Sequence, residues 1–225
     1  MDKEWSGKNK EIQTLLSRET TFREAVGKLI EFRQEMFEQI TRIVDDYPDE
    51  AFSQMPFAGA DGYHSKTLAY SIWHIFRIED IVAHEMIAED RQILFDGGFD
   101  QSVHSPIITT GNELSGAEIA AFSGKLDIRQ LYRYAEEVMQ STNQILLRLD
   151  YSGLKRKFGE EMKEKLRQTG CISRDEEAYW LIDYWCGKDV KGLIKMPFSR
   201  HWIMHIEAMR RIESKLGRTG KKGGR

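Results

Sequence analysis

The chain has 225 residues, 40% of them apolar and 31% charged, and its 33 basic and 36 acidic side chains leave a net charge of −3. That length suits one domain with a sizeable core, and the high charged fraction favours solvated, helix-rich structure. The near balance of charge leaves no global basic field for nucleic acid and no acidic tail. Two cysteines, Cys171 and Cys186, are too few for a disulfide framework and do not form a Cys-x-x-Cys pair. The first residues lack the apolar core of a signal peptide, and no apolar run reaches bilayer length, so a cytoplasmic protein with free thiols and no membrane partner is expected.

Residues 8–47 read as helix, with Val26, Leu29, Ile30, Phe37, Ile40, Val44 and Tyr47 recurring at three- and four-residue steps. Thr20 or Thr21 is expected to cap the stronger part, Thr21 with Glu24 as a capping box, and residues 8–19 belong to this helix or to a separate one. Pro48 stops it. Residues 48–65 read as a loop, with Tyr63 and His64 at its end. The second long helix covers 66–90. Ile75, Ile78, Ile81, Val82 and Met86 form its apolar stripe and His74 lies within it. His84 falls on the polar flank near Arg77 and Asp80 and is expected to be exposed. Glu85 shares the face of His74, but ~16 Å along the axis, too far to share a metal.

Residues 95–116 carry Gly97-Gly98, Pro106 and Gly111-Asn112 and read as a long irregular connection of the kind that often holds function. Ser115 with Glu118 is expected to cap a short helix to about Phe122. Asp127 then caps a third long helix over 127–150, whose near-heptad stripe runs from Ile128 to Leu149, with Arg129, Arg133, Glu136 and Glu137 on a solvated face. Residues 151–198 form an excursion: a charged helix within 155–168 ended by Gly170, then a helix capped by Ser173 and Glu176. The second of these carries the aromatic segment 179–185, with Tyr179, Trp180, Tyr184 and Trp185. Core, or a cover over the bundle end, is the preferred reading of that segment; a pocket wall or dimer face is the other. Gly187 breaks the helix, Pro197 and Ser199 set up the last one, which runs to about Leu216, and 217–225 is a loose basic tail.

Four long amphipathic helices without an alternating strand pattern predict an all-α fold: a four-helix bundle over residues 1–216, with extra short helices in a C-terminal excursion before the last helix. On that last helix His201 and His205 share a sector with Trp202, Ala208, Met209, Ile212 and Leu216, while Glu207, Arg210, Arg211 and Ser214 lie opposite. At spacing i, i+4 the two β-carbons are only ~6 Å apart. Two neighbouring buried imidazoles must share a partner or lose hydrogen bonds, and a divalent metal resolves that. Neutral imidazole accepts Zn, Ni, Fe or Cu, and the spacing does not choose among them. His74, on the inward stripe of a facing helix, supplies a third donor. Three imidazoles leave a coordination position open, the pattern of a catalytic metal. The bland alternative is three core histidines bonded to backbone.

The segment Ser71-Ile72-Trp73-His74-Ile75-Phe76-Arg77-Ile78-Glu79 resembles the second helix of the DinB-like (YfiT-like) metalloenzyme family, and His201-Trp202-Ile203-Met204-His205-Ile206-Glu207-Ala208 resembles its last-helix histidine pair. The resemblance runs from about residue 22 to 216. It implies a four-helix bundle, often dimeric, with His74, His201 and His205 holding a divalent ion. It also implies a small-molecule substrate, with a low-molecular-weight thiol in the transferases and isomerases of that family. Many members continue the last helix with His-Arg-Gly-Gln, where this chain has His205-Ile206-Glu207-Ala208, a departure that weakens the transfer of substrate and reaction. Glu79, Glu85, Tyr63 and His64 are candidates for a general base, and nothing in their spacing singles one out. The competing expectation is a non-catalytic homodimeric bundle, its metal structural or absent, acting as an interaction module. Nucleic-acid binding is disfavoured because no helix carries a basic stripe.

Overall fold

The computed structural model describes residues 3–59 and 65–217, and these are helical, with no strand and one isolated bridge between Lys157 and Asp189. The candidates Tyr63 and His64 lie outside the described residues, as does all of the basic tail after Gly217. No helix among the described residues is long and apolar enough to cross a membrane.

The N-terminal helical stretch is two helices. Helix α1, Lys3–Leu15, buries Trp5, Asn9 and Ile12 against α2, Phe22–Asp46. The expected Thr21 capping box does not form: the Thr21 hydroxyl donates instead to the Leu15 carbonyl at 2.7 Å, satisfying the end of α1 rather than the start of α2. The loop after Pro48 holds a 3-10 helix, Asp49–Ser53.

Helix α3, Leu68–Asp80, opens behind Thr67, whose hydroxyl accepts from the Tyr70 N–H at 3.0 Å. All 13 of its residues are buried, as expected of a helix covered on every side. It continues as a π-helix, Ile81–Ala88. The wider i→i+5 turn sets each following side chain back around the axis relative to α-helical phase. The reading of His84 as exposed is overturned: it is 2% exposed, and the Arg77 and Asp80 flank on which it was placed is itself buried.

Beyond two single-turn helices, Ile93–Asp96 and Phe99–Ser102, α4 covers Gly116–Ser123, and the Glu118 carboxylate accepts from the Ser115 N–H at 3.1 Å as expected. Helix α5, Ile128–Arg148, is capped by Asp127 through the Gln130 N–H and buries the predicted stripe. The excursion holds α6, Glu160–Gln168, and α7, Glu176–Cys186. Asp175, not Ser173, stands at the start of α7. The aromatic segment divides: Trp185 is buried, whereas Tyr179 and Trp180 are 39% and 50% exposed. Core, the first half of the preferred reading, therefore describes only its inward residues.

The last helix starts at His201, as expected, but is not separated from what precedes it. Helix α8, Val190–Lys195, passes through a π-turn, Met196–Arg200, directly into α9, His201–Leu216. Helix α3 packs on α5 and α9, and α2 packs on the same pair. One continuous apolar cluster fills the space between them. Burial of the apolar stripes, at roughly 25 cal/mol per Å² of apolar surface, is the main force holding these helices together.

Candidate metal centre

His74 comes from the first half of α3, and His201 and His205 from the opening turns of α9, whose contact with α3 brings the three rings together. Ring centroids are 5.0 Å apart for His74–His201, 4.7 Å for His74–His205 and 4.5 Å for His201–His205. One ligating nitrogen from each lies within 4.8 Å of the other two. All three side chains are buried.

The chain sets the phase of this cluster with backbone irregularities. In the π-turn before α9 the His201 N–H reaches back to the Met196 carbonyl, and the Ser199 hydroxyl takes up the Ile194 and Lys195 carbonyls at 3.3 and 3.1 Å. Arg33 donates to the Phe198 carbonyl at 2.9 Å. These side chains satisfy carbonyls that a widened turn leaves short of donors. The π-turn fixes which residues of α9 face α3.

Opposite, the segment Ile108–Gly111 runs along α3 and surrenders four consecutive carbonyls to one face of it. Arg77 Nε takes Ile108 (2.8 Å), Trp73 Nε1 takes Thr109 (3.0 Å), His74 Nδ1 takes Thr110 (2.9 Å) and the Tyr70 hydroxyl takes Gly111 (3.0 Å). Residues 70, 73, 74 and 77 are neighbours on a helix surface. Since a carbonyl only accepts, His74 carries its proton on Nδ1 and presents the Nε2 lone pair to the cluster. This is the arrangement by which ligating histidines are oriented from behind. Tyr70 stacks on His74 at 5.4 Å and 12°.

Burial holds the His74 imidazole down at about 4, against a backbone hydrogen bond that favours its charged form. Burial and then the mutual repulsion of the cluster push His201 and His205 well below the usual imidazole range. All three are therefore neutral near pH 7, the form that binds metal. The His201 Nδ1 atom is buried with no hydrogen-bond partner among the described residues. Among the described residues the donor set is three imidazoles with no thiolate or carboxylate in the cluster. Neutral nitrogen donors and an orphaned buried nitrogen fit a divalent transition ion.

The carboxylate candidates are engaged elsewhere. Glu79 is fully buried and receives a two-pronged contact from Arg33 at 2.6 and 2.9 Å and a third bond from Trp202 Nε1 at 2.7 Å. Arg33 completes its set on Asn143 at 2.8 Å. Glu85 pairs with Lys165 at 3.2 Å and accepts from Gln92 at 2.6 Å. Spacing did not reveal Lys66, which burial lowers from the ordinary lysine range; its ammonium lies 4.6 Å over the Tyr70 ring, and its charge reaches both His74 and His205. A lone lysine ahead of a helix carries no periodic signal.

No protein-family model, curated protein or solved structure matches this chain.

Proposed function

We propose that the chain is a divalent-metal-dependent enzyme of the DinB-like kind, a four-helix bundle that binds Zn, Ni or Fe through His74, His201 and His205. Its substrate is a small molecule, a low-molecular-weight thiol being the first class to try, in an S-transfer or related transfer or hydrolysis reaction. The observation that carries this reading is the convergence of three buried, neutral imidazoles from two sequence-distant helices, one of them oriented from behind by a backbone carbonyl. When bound, such an ion supplies Lewis acidity and lowers the pKa of a coordinated water or thiol. The chain's own part is positional: Thr110 fixes the His74 tautomer, Tyr70 covers one face of its ring, and the Lys66 ammonium lies near enough to favour a bound anion.

Elemental analysis by mass spectrometry on protein purified without a histidine tag or chelator tests the reading. About one ion per chain is expected, lost in His74→Ala, His201→Ala and His205→Ala alike, with effects that do not add because each dismantles one site. Folded wild-type protein without metal would overturn it. The exposed Trp180 and Tyr179 favour a second reading, a homodimeric interaction module, which a stable metal-free dimer would support.

A further inference from the structure

About ten residues beyond His74, and so ~15 Å along the helix axis, a second histidine is wired differently. His84 Nδ1 lies 2.5 Å from the Asp90 carboxylate and His84 Nε2 lies 3.2 Å from the Ser141 hydroxyl. An ionised carboxylate only accepts, so Nδ1 carries the proton, Nε2 is the acceptor and the Ser141 hydroxyl donates to it. Serine and threonine hydroxyls within helices commonly return to a carbonyl one turn back. Thr14, Thr41 and Ser71 of this chain do so. Ser141, mid-helix on α5, turns its hydroxyl to His84 instead.

The backbone builds this relay with two uncommon features. His84 lies in the π-helix Ile81–Ala88, and that helix ends at Glu89 with φ 56°. The left-handed turn at a non-glycine residue swings the chain back, so that the Asp90 N–H meets the His84 carbonyl at 2.9 Å and its carboxylate meets the ring. Both features occur preferentially at functional sites. Ser141 opens on a surface groove of about 680 Å³ with Ile30, Ile93 and the half-exposed Leu147 as apolar wall, and Asn143 and Gln144 beside it. Amides of that kind are donors suited to an oxyanion.

We propose that Ser141, His84 and Asp90 form an acyl-transfer centre, separate from the histidine cluster, that takes small uncharged carboxylic esters. The roles follow from the hydrogen bonds and need no particular chain order. Ser141 Oγ attacks the ester carbonyl carbon as its proton passes to His84 Nε2. The bond from carbon to the alcohol oxygen breaks, and the alcohol leaves with that proton while the acyl group stays on Oγ. Water then attacks the acyl carbon, giving one proton to Nε2; the carboxylic acid departs and Oγ regains its hydrogen. Asp90 is a positioning residue: it holds the ring and stabilises the imidazolium.

The full chain is treated with a fluorophosphonate and, separately, assayed with p-nitrophenyl butyrate. One adduct, mapped to Ser141 and absent in Ser141→Ala, is expected. His84→Gln should slow labelling about 10²- to 10⁴-fold. Asp90→Asn should lower kcat with little change in KM, and Asp90→Glu should restore part of the loss. His84 is buried, so near-ultraviolet circular dichroism accompanies each variant; Ser141→Ala and Asp90→Asn, at less buried positions, carry the test if His84→Gln unfolds. An adduct elsewhere, no adduct on folded wild-type protein, or ester turnover unchanged in Ser141→Ala overturns the proposal. Labelling of Ser141 should be the same before and after treatment with a chelator; labelling that requires an added divalent ion would assign the reactivity to the histidine cluster and overturn the proposal as well.

Discussion

Among single residues, the buried ionisable groups set the sharpest constraints. Arg33 and Glu79 are fully buried, and between them they also satisfy Trp202, Asn143 and the Phe198 carbonyl. Removing one partner strands a charge in the core, which costs about 3–5 kcal/mol. Arg33→Met should therefore destabilise by that amount in urea unfolding, and Arg33→Met with Glu79→Leu should recover a good part of it. A double variant as unstable as the sum of the single ones would mean that the two charges are not coupled. The three clustered imidazoles act on stability through pH. Their folded pKa values lie below the ordinary 6.5, His74 at about 4. Between the folded and unfolded values the unfolded chain binds more protons, so acid favours unfolding. Stability of the chelated, metal-free protein is thus full above pH 6.5 and falls as pH drops from 6.5 towards 4, by up to about 1.4 kcal/mol per pH unit for each imidazole. Urea unfolding between pH 7.5 and 5 reads this above most of the carboxylate range; a flat profile would show that the rings titrate normally. Two of the three positions were legible from the i, i+4 spacing on an apolar stripe, and His74 from its own stripe. His84 was misread because the Arg77 and Asp80 flank on which it was placed, polar in sequence, is itself buried by the rest of the chain.

Elements were legible where the signal is local. Asp127 and the Ser115–Glu118 pair each cap a helix with groups within three residues of its start, and both form. Thr21 carried the same local signature but found the Leu15 carbonyl, an acceptor that exists only because α1 ends there. The π-helical stretches at 81–88 and 196–200 left no trace in the periodicity, since the apolar stripe runs on through the first and the second changes only the phase of the helix that follows it. The docking of 108–111 on α3 was equally hidden, because backbone carbonyls supply one side of it. Gly111 is the position where that docking meets backbone geometry. Its φ of 77° lies in the left-handed region, and a β-carbon there would stand 3.1 Å from the Tyr70 ring. Gly111→Ala should cost about 1–2 kcal/mol from the conformation alone. By displacing the Thr110 carbonyl from His74 it should also weaken metal binding, by about 10-fold on the scale of other lost orienting contacts. Thermal melting and metal titration check the two effects. Lost stability with metal affinity intact would separate the segment from the site.

Across the whole molecule, the candidate site joins parts of the chain that are more than a hundred residues apart: α3 supplies His74, and α9, reached only after the excursion of α6, α7 and α8, supplies the other two. The sequence carried the long helices and their inward faces, since amphipathic stripes survive any topology that buries them. It did not carry the split exposure in α7, where the same aromatic residue types serve core and surface. Sequence-distant ligation has a thermodynamic consequence. The unfolded chain does not preassemble three donors drawn from α3 and α9, so a metal bound there stabilises the folded state alone. At free metal one hundred times the dissociation constant, that stabilisation is about 2.7 kcal/mol. For a chain of this size each kcal/mol moves the melting temperature by roughly 2–4 °C, so the ion should raise Tm by about 5–11 °C. Scanning calorimetry with chelator and with added Zn, Ni or Fe reads the shift, and His205→Ala should abolish it without lowering the metal-free Tm by a comparable amount. A shift that survives in His205→Ala would place the stabilising ion outside the cluster formed by α3 and α9.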